Sequence, residues 1–183
     1  MALTHSTFYL GVGNSDASLI IVILAPILGA MADTGGLRKR MLAPFACLGV
    51  LATGSLYLVQ AGMWPFAILL YAIAVVGFSG ANTFYDSLLI IVAPEKARHR
   101  ISAFGFALGY LGGGLLFLIN VLMTLKPQLF GLADAAQGVR WSFITVAVWW
   151  TVFSIPLFLY VDEPLPNSGR RGVDIKGTFA ALR

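Results

Sequence analysis

Charge is what this chain has least of. Only 11% of its 183 residues are Asp, Glu, Lys or Arg, against about a quarter in soluble domains. Apolar types make up 58%, and the mean hydropathy is +0.86. A water-soluble fold of this length has too little interior to hide so much apolar surface. Histidine and cysteine are scarce as well. His5 and His99 stand in terminal or loop positions, and Cys47 sits alone inside an apolar run. A lone thiol has no disulfide partner in the chain and no companions at metal-ligand spacing, so Cys47 is expected to pack as a small residue. Phosphate-binding glycine loops and paired-carboxylate motifs are also missing. The reading is no enzyme, no metal and no cofactor. Residues 1–13 hold no Lys or Arg, and no short apolar core precedes a small-residue cleavage site, so they do not read as a cleavable signal peptide.

What the chain does have is long apolar runs. Five of them, at about 14–32, 41–60, 65–92, 101–125 and 141–161, approach the roughly 20 residues a helix needs to cross a bilayer. The first is the weakest, because Asn14-Ser15-Asp16 interrupts the stretch leading into it; Asp16, with Asn14 and Ser15, reads as its N-cap. Lipid admits only helices or closed barrels, and no strand-length alternation is present. An all-α, multi-pass membrane bundle follows, with the lipid bilayer as its first partner. The net charge of +4 does not argue for nucleic acid, since the basic residues flank apolar runs and form no patch interleaved with aromatics.

Ten of the twelve basic residues fall in three loops: Arg38, Lys39 and Arg40; Lys96, Arg98 and Arg100; and Arg170, Arg171, Lys176 and Arg183 in the tail. The opposite side holds only Lys126 and Arg140. The positive-inside rule therefore places the three basic loops in the cytoplasm and the N-terminus outside. Residues 1–13 become an extracytoplasmic segment, 14–164 the membrane bundle, and 165–183 a cytoplasmic linker. Its Val173–Arg183 stretch is a candidate interfacial helix.

The first basic loop reads Gly29-Ala-Met-Ala-Asp33-Thr-Gly-Gly36-Leu-Arg38-Lys39-Arg40. It resembles the Gly-x-x-x-Asp-x-x-Gly-x-Arg-Lys signature between the second and third helices of major facilitator superfamily transporters. Gly29, Asp33, Gly36, Arg38 and Lys39 match, while Thr34 and Leu37 stand where basic residues are common. Further on come Phe84-Tyr85-Asp86, Ala93-Pro94-Glu95, Arg100-Ile-Ser, Gly109-Tyr110-Leu-Gly-Gly113 and Val161-Asp-Glu163-Pro164. These are similar to the vacuole-effluxer-like branch of that superfamily, which holds bacterial permeases and a fungal vacuolar amino-acid effluxer. Asp86 stands where that pattern carries an amide. The resemblance implies that the five spans correspond to helices two to six of a twelve-helix fold. The first helix and the C-terminal six-helix half would lie outside this chain, the latter as its expected partner.

Two stripes carry the candidate residues. On the third span, Tyr71, Ser79, Asn82 and Asp86 share one side. A carboxylate at this depth is costly against lipid, so it faces protein or water. Asp86 then suits proton coupling or recognition of a substrate amine; equally, it suits an anchoring ion pair with Arg98 or Arg100. On the fourth span, Ser102, Gly105, Gly109, Gly112 and Asn120 fall within an arc of about 80°. The glycines suit close helix packing, and Asn120 is a cavity-lining candidate. The same stretch echoes the superfamily's glycine-rich antiporter motif, with Tyr110 in place of its proline. The function implied is part of a secondary active transporter moving a small solute, an amino acid among the candidates, by alternating access. A non-transporting scaffold or inert remnant is the competing class. The location is an integral membrane protein, in the plasma membrane if bacterial.

Overall fold

A computed structural model describes residues 2–33 and 37–163. Five long helices dominate: α1 (Ala2–Asp33), α2 (Arg38–Ser55), α3 (Trp64–Val92), α4 (Arg98–Leu125) and α5 (Ala135–Tyr160). Short 3-10 turns at Leu56–Leu58, Glu95–Ala97 and Pro127–Phe130 join or extend them. Each long helix contains a stretch long and apolar enough to cross a membrane. Among the described residues there is no strand. The chain is an all-α membrane protein.

The elements form for local reasons. Pro65 occupies the first turn of α3, where its missing N–H leaves no bond unmade. Asp134 caps α5 by accepting from the Gln137 amide at 2.8 Å, and Gln137 answers by accepting from the Ala133 amide. Gly131 turns the chain before it with φ of +69°, a conformation glycine adopts without Cβ strain. One expectation is corrected here. Asn14, Ser15 and Asp16 do not begin a helix; they lie inside α1, which starts at Ala2. The hydroxyls of Ser15 and Ser18 donate to the carbonyls of Gly11 and Asn14, one turn back, so these polar residues are satisfied without ending the helix. The linker at 165–183, with its candidate interfacial helix, lies outside the described residues.

Successive helices run antiparallel, so Arg38–Arg40, the turn at 93–97 and Glu163 share one end of the bundle, called the basic end below. Helix α3 packs against α2 most extensively and against α1 next, α5 rests on α2 and α4, and α3 and α4 scarcely touch. The core lies where α1, α2 and α3 meet, with Phe84 fully enclosed among Leu28, Ala32, Leu42, Ala46 and Ala81.

Candidate functional site

Helix α2 opens with three bases, Arg38-Lys39-Arg40, and no acidic residue in its first turn. That start is unfavourable, because the positive end of the helix dipole repels cations and the first N–H groups lack partners. Leu37, at the cap position, has no side-chain oxygen to offer. Glu163, just past the end of α5, supplies what is missing. Its two carboxylate oxygens each accept a backbone N–H, from Arg38 and Lys39, both at 3.0 Å. The Arg38 guanidinium lies 3.6 Å away. Lys39 Nζ donates to the Val161 carbonyl at 2.6 Å. Both the Arg38 and Glu163 side chains are about nine-tenths buried. The arrangement clasps the start of α2 to the end of α5 at the basic end.

Of the loop residues proposed from the sequence, Arg38 and Lys39 are therefore engaged. Gly29 lies near the end of α1 with open space beside it. Asp33 is described in backbone only, and Gly36 lies outside the described residues. Glu163 entered the sequence reading only as part of the family pattern, with no role. An all-basic helix start without a local cap was the signal that an anion had to arrive from elsewhere.

The α3 stripe does not face a single cavity. Ser79 looks toward α1, beside Leu24 and Leu28. Asn82 lines a space of about 120 Å³ between α2, α3 and α5. Tyr71 donates to Asn14 Oδ1 on α1 at 2.9 Å, and its ring borders a larger cavity of about 700 Å³. Asn120 of α4 borders the same cavity and accepts from the Thr145 hydroxyl at 2.8 Å, tying α4 to α5. Aromatic rings dominate the rest of that wall: Phe78, Phe117, Trp149, Trp150 and Phe153. Its lining covers 109–120 of α4 and 143–153 of α5 and reaches Thr53 and Leu56 at the far end of α2, so the space extends from mid-helix toward the end away from the bases.

Asp86 opens into a separate cavity of about 480 Å³ nearer the basic end, with Tyr85, Ser102, Gly105 and Tyr110 around it. No ion pair joins Asp86 to Arg98 or Arg100 among the described residues. Arg98 instead donates to the carbonyl of Ile90 at 2.8 Å, closing the turn between α3 and α4. Of the three glycines proposed for packing, Gly112 has the Trp149 ring beside it, Gly105 only the Tyr85 hydroxyl at 4.0 Å from where a Cβ would stand, and Gly109 nothing within 4 Å. Close backbone approach occurs at other glycines. A Cβ on Gly77 would fall 2.5 Å from the Gly49 nitrogen, and one on Gly138 2.5 Å from the Met123 carbonyl oxygen.

The helical region as a whole is similar to known proteins. The family model for vacuole effluxer Atg22-like proteins matches residues 4–98 and 91–176, covering every helix described above. The chain belongs to this family. It is 35% identical over 164 residues to the uncharacterized MFS-type transporter YxiO of Bacillus subtilis strain 168, covering 89% of the chain and 38% of the relative. Autophagy-related protein 22 of Gibberella zeae is 36% identical over 78 residues, covering 40% of the chain and 11% of that protein. The protein of the same name in Yarrowia lipolytica is 31% identical over 68 residues, covering 37% of the chain and 10% of that relative. This Atg22-like chain thus spans well under half the length of the relatives it matches, within the major facilitator branch. No solved structure matches it.

Proposed function

We propose that this Atg22-like chain forms part of a secondary active transporter that moves a small solute by alternating access. The observation that carries the reading is the side of α3 that faces α4, in a chain of this family. There the Asp86 carboxylate opens into a cavity without an ion-pair partner. Farther along the same side, Tyr71 and Asn120 border an aromatic-walled space that meets the first at Gly109, midway along α4. A site of a few polar groups in an apolar, aromatic cavity suits small-solute recognition, and transporter sites of this general kind lie near the bilayer midplane. A carboxylate that is not committed to an ion pair is free to take and release a proton or to meet a substrate amine. The clasp of Glu163 on α2 fits a structural part, because it holds α5 to α2 while the α4 side stays open. Parts of the transporter outside α1–α5 would complete the site.

Orientation belongs to the same proposal: the basic end faces the cytoplasm, with the membrane of a bacterial host being the plasma membrane. A cysteine in the 94–100 turn should then resist membrane-impermeant thiol reagents in intact cells, while one in 127–133 should label.

The test of function is a chimera in which this chain replaces the matching region of the Bacillus relative, reconstituted in vesicles with an imposed pH gradient. A panel of small solutes, amino acids first, should show gradient-driven uptake. Asp86→Asn should abolish that uptake while membrane insertion stays normal. No uptake of any solute would favour a scaffold or remnant, and normal driven uptake by Asp86→Asn would remove the coupling role.

A further inference from the structure

The cavity that holds Asp86 is lined by one charged group and by none of the opposite sign. Its wall combines the Asp86 carboxylate and the Ser102 hydroxyl with the rings of Tyr85, Phe104, Phe106 and Tyr110. The aromatic-walled space that adjoins it at Gly109 adds the hydroxyls of Thr53 and Tyr71 and the amide of Asn120, again with no basic residue. The bases nearest to Asp86 in the turn between α3 and α4 are placed elsewhere. Arg98 donates to the Ile90 carbonyl, and neither it, His99 nor Arg100 lines either cavity.

That inventory selects by charge. An anion would face the Asp86 carboxylate with no cation in the wall to offset it, which is unfavourable beside so much apolar surface. A hard metal cation is poorly served too. It collects about six oxygen ligands, and the wall offers one carboxylate and one serine hydroxyl, with no cluster of three His, Cys, Asp or Glu among the described residues. An organic ammonium group suits every part. The carboxylate pairs with its charge, the hydroxyl accepts an N–H, and ring faces attract a cation within about 6 Å. The volume of about 480 Å³ falls within the roughly 300–1,000 Å³ of small-molecule sites. A free amino acid satisfies only half of this arrangement. Its amine would meet Asp86, but its own carboxylate would enter the same cavity without a guanidinium or ammonium to receive it.

We propose that the solute is a hydrophobic amine without a carboxylate, a monocation with an aromatic or branched apolar body. Asp86 pairs with its ammonium group, and the rings beside Asp86 hold the body. A body longer than one ring continues past Gly109 into the aromatic-walled space. The inference rests on reading the chain as part of a transporter, and it names the solute class that this wall would accept.

The experiment uses the same chimera in vesicles, with phenethylamine and phenylalanine as probes. They share a benzyl body and differ by the carboxylate. Equilibrium binding of each radiolabelled probe is measured beside its uptake. Phenethylamine should bind about tenfold or more tighter than phenylalanine, and phenethyl alcohol, which lacks the ammonium group, should compete no better than phenylalanine. Asp86→Asn should weaken phenethylamine binding by about tenfold to a hundredfold. Asp86→Glu should keep most of it, which separates loss of the charge from loss of the fold. Tighter binding of phenylalanine, binding of neither probe, or amine binding that survives Asp86→Asn would each overturn the proposal. The two readings fail separately. Asp86-dependent amine binding without uptake of any solute would count against transport and uphold the amine site. Gradient-driven uptake of phenylalanine without amine binding would uphold transport and overturn the amine class.

Discussion

Toward α2, helix α3 is packed backbone to backbone; toward α4, it borders a cleft. On the first side Gly77 meets Gly49, Gly80 meets the Phe45 ring, and Phe84 and Leu88 lose nearly all contact with the surroundings. On the second side α4 buries only Leu116 and Met123, and a methyl group added at Gly109 or Gly113 would meet nothing within 4 Å. Both sides carry small residues at helical spacing. The difference teaches that a glycine row specifies a close approach but not the partner that makes it. In lipid, where apolar side chains gain little by leaving the solvent, such approaches supply much of the association between helices.

The comparison is broken most easily by filling the packed side. Gly77→Leu would drive a side chain into the Gly49 backbone and the Phe45 carbonyl, destabilising by about 3 kcal/mol or more. Thermal unfolding in mild detergent should show it as loss of the folded fraction. Gly109→Leu in the same chain enters open space and should change stability by less than about 0.5 kcal/mol. Equal damage from the two would erase the distinction between the sides.

Next in size is the clasp. Glu163→Ala strands the first two amides of α2 and leaves the Arg38 guanidinium buried without its counter-charge, a loss of about 3 kcal/mol. Glu163→Gln keeps one acceptor oxygen and should lose roughly half of that. If both variants unfold at the parent temperature, the contact contributes nothing to holding α5 on α2. The smallest expected effect is at the edge of the open side. Asn120→Ala removes the Thr145 hydrogen bond between α4 and α5, worth about 0.6–1 kcal/mol in a membrane bundle. A much larger loss would mean that α4 is held chiefly by this bond.

The five helices were legible because each span carries its own apolar signal, independent of its neighbours. The start of α1 was not, since Asn14-Ser15-Asp16 looks like a break until the serine hydroxyls are seen bonding one turn back. The α3 stripe was legible as a side of a helix. Which neighbour each residue meets was not, and Ser79, Asn82 and Asp86 turn out to border three different cavities. Glu163 shows the same limit from the other direction. Its partners lie 124 and 125 residues away, and only the uncapped basic start of α2 betrays the need for it. The packing glycines at 49, 77, 80 and 138 gave no stronger signal than the row on α4, because spacing alone cannot say which face another backbone reaches.

The central claim is that α4 stands off from α3 and keeps its glycine face open in this chain. The most direct measurement is collision of membrane-dissolved oxygen with spin labels placed singly in the chain reconstituted in vesicles. Labels at Gly109→Cys and Gly113→Cys should collide as freely as one at Gly114→Cys, which is open to its surroundings, and far more than one at Gly54→Cys, which sits against Ala147. Labels at 109 and 113 as protected as the one at 54 would mean that α4 closes onto α3, and the open cleft would be contradicted.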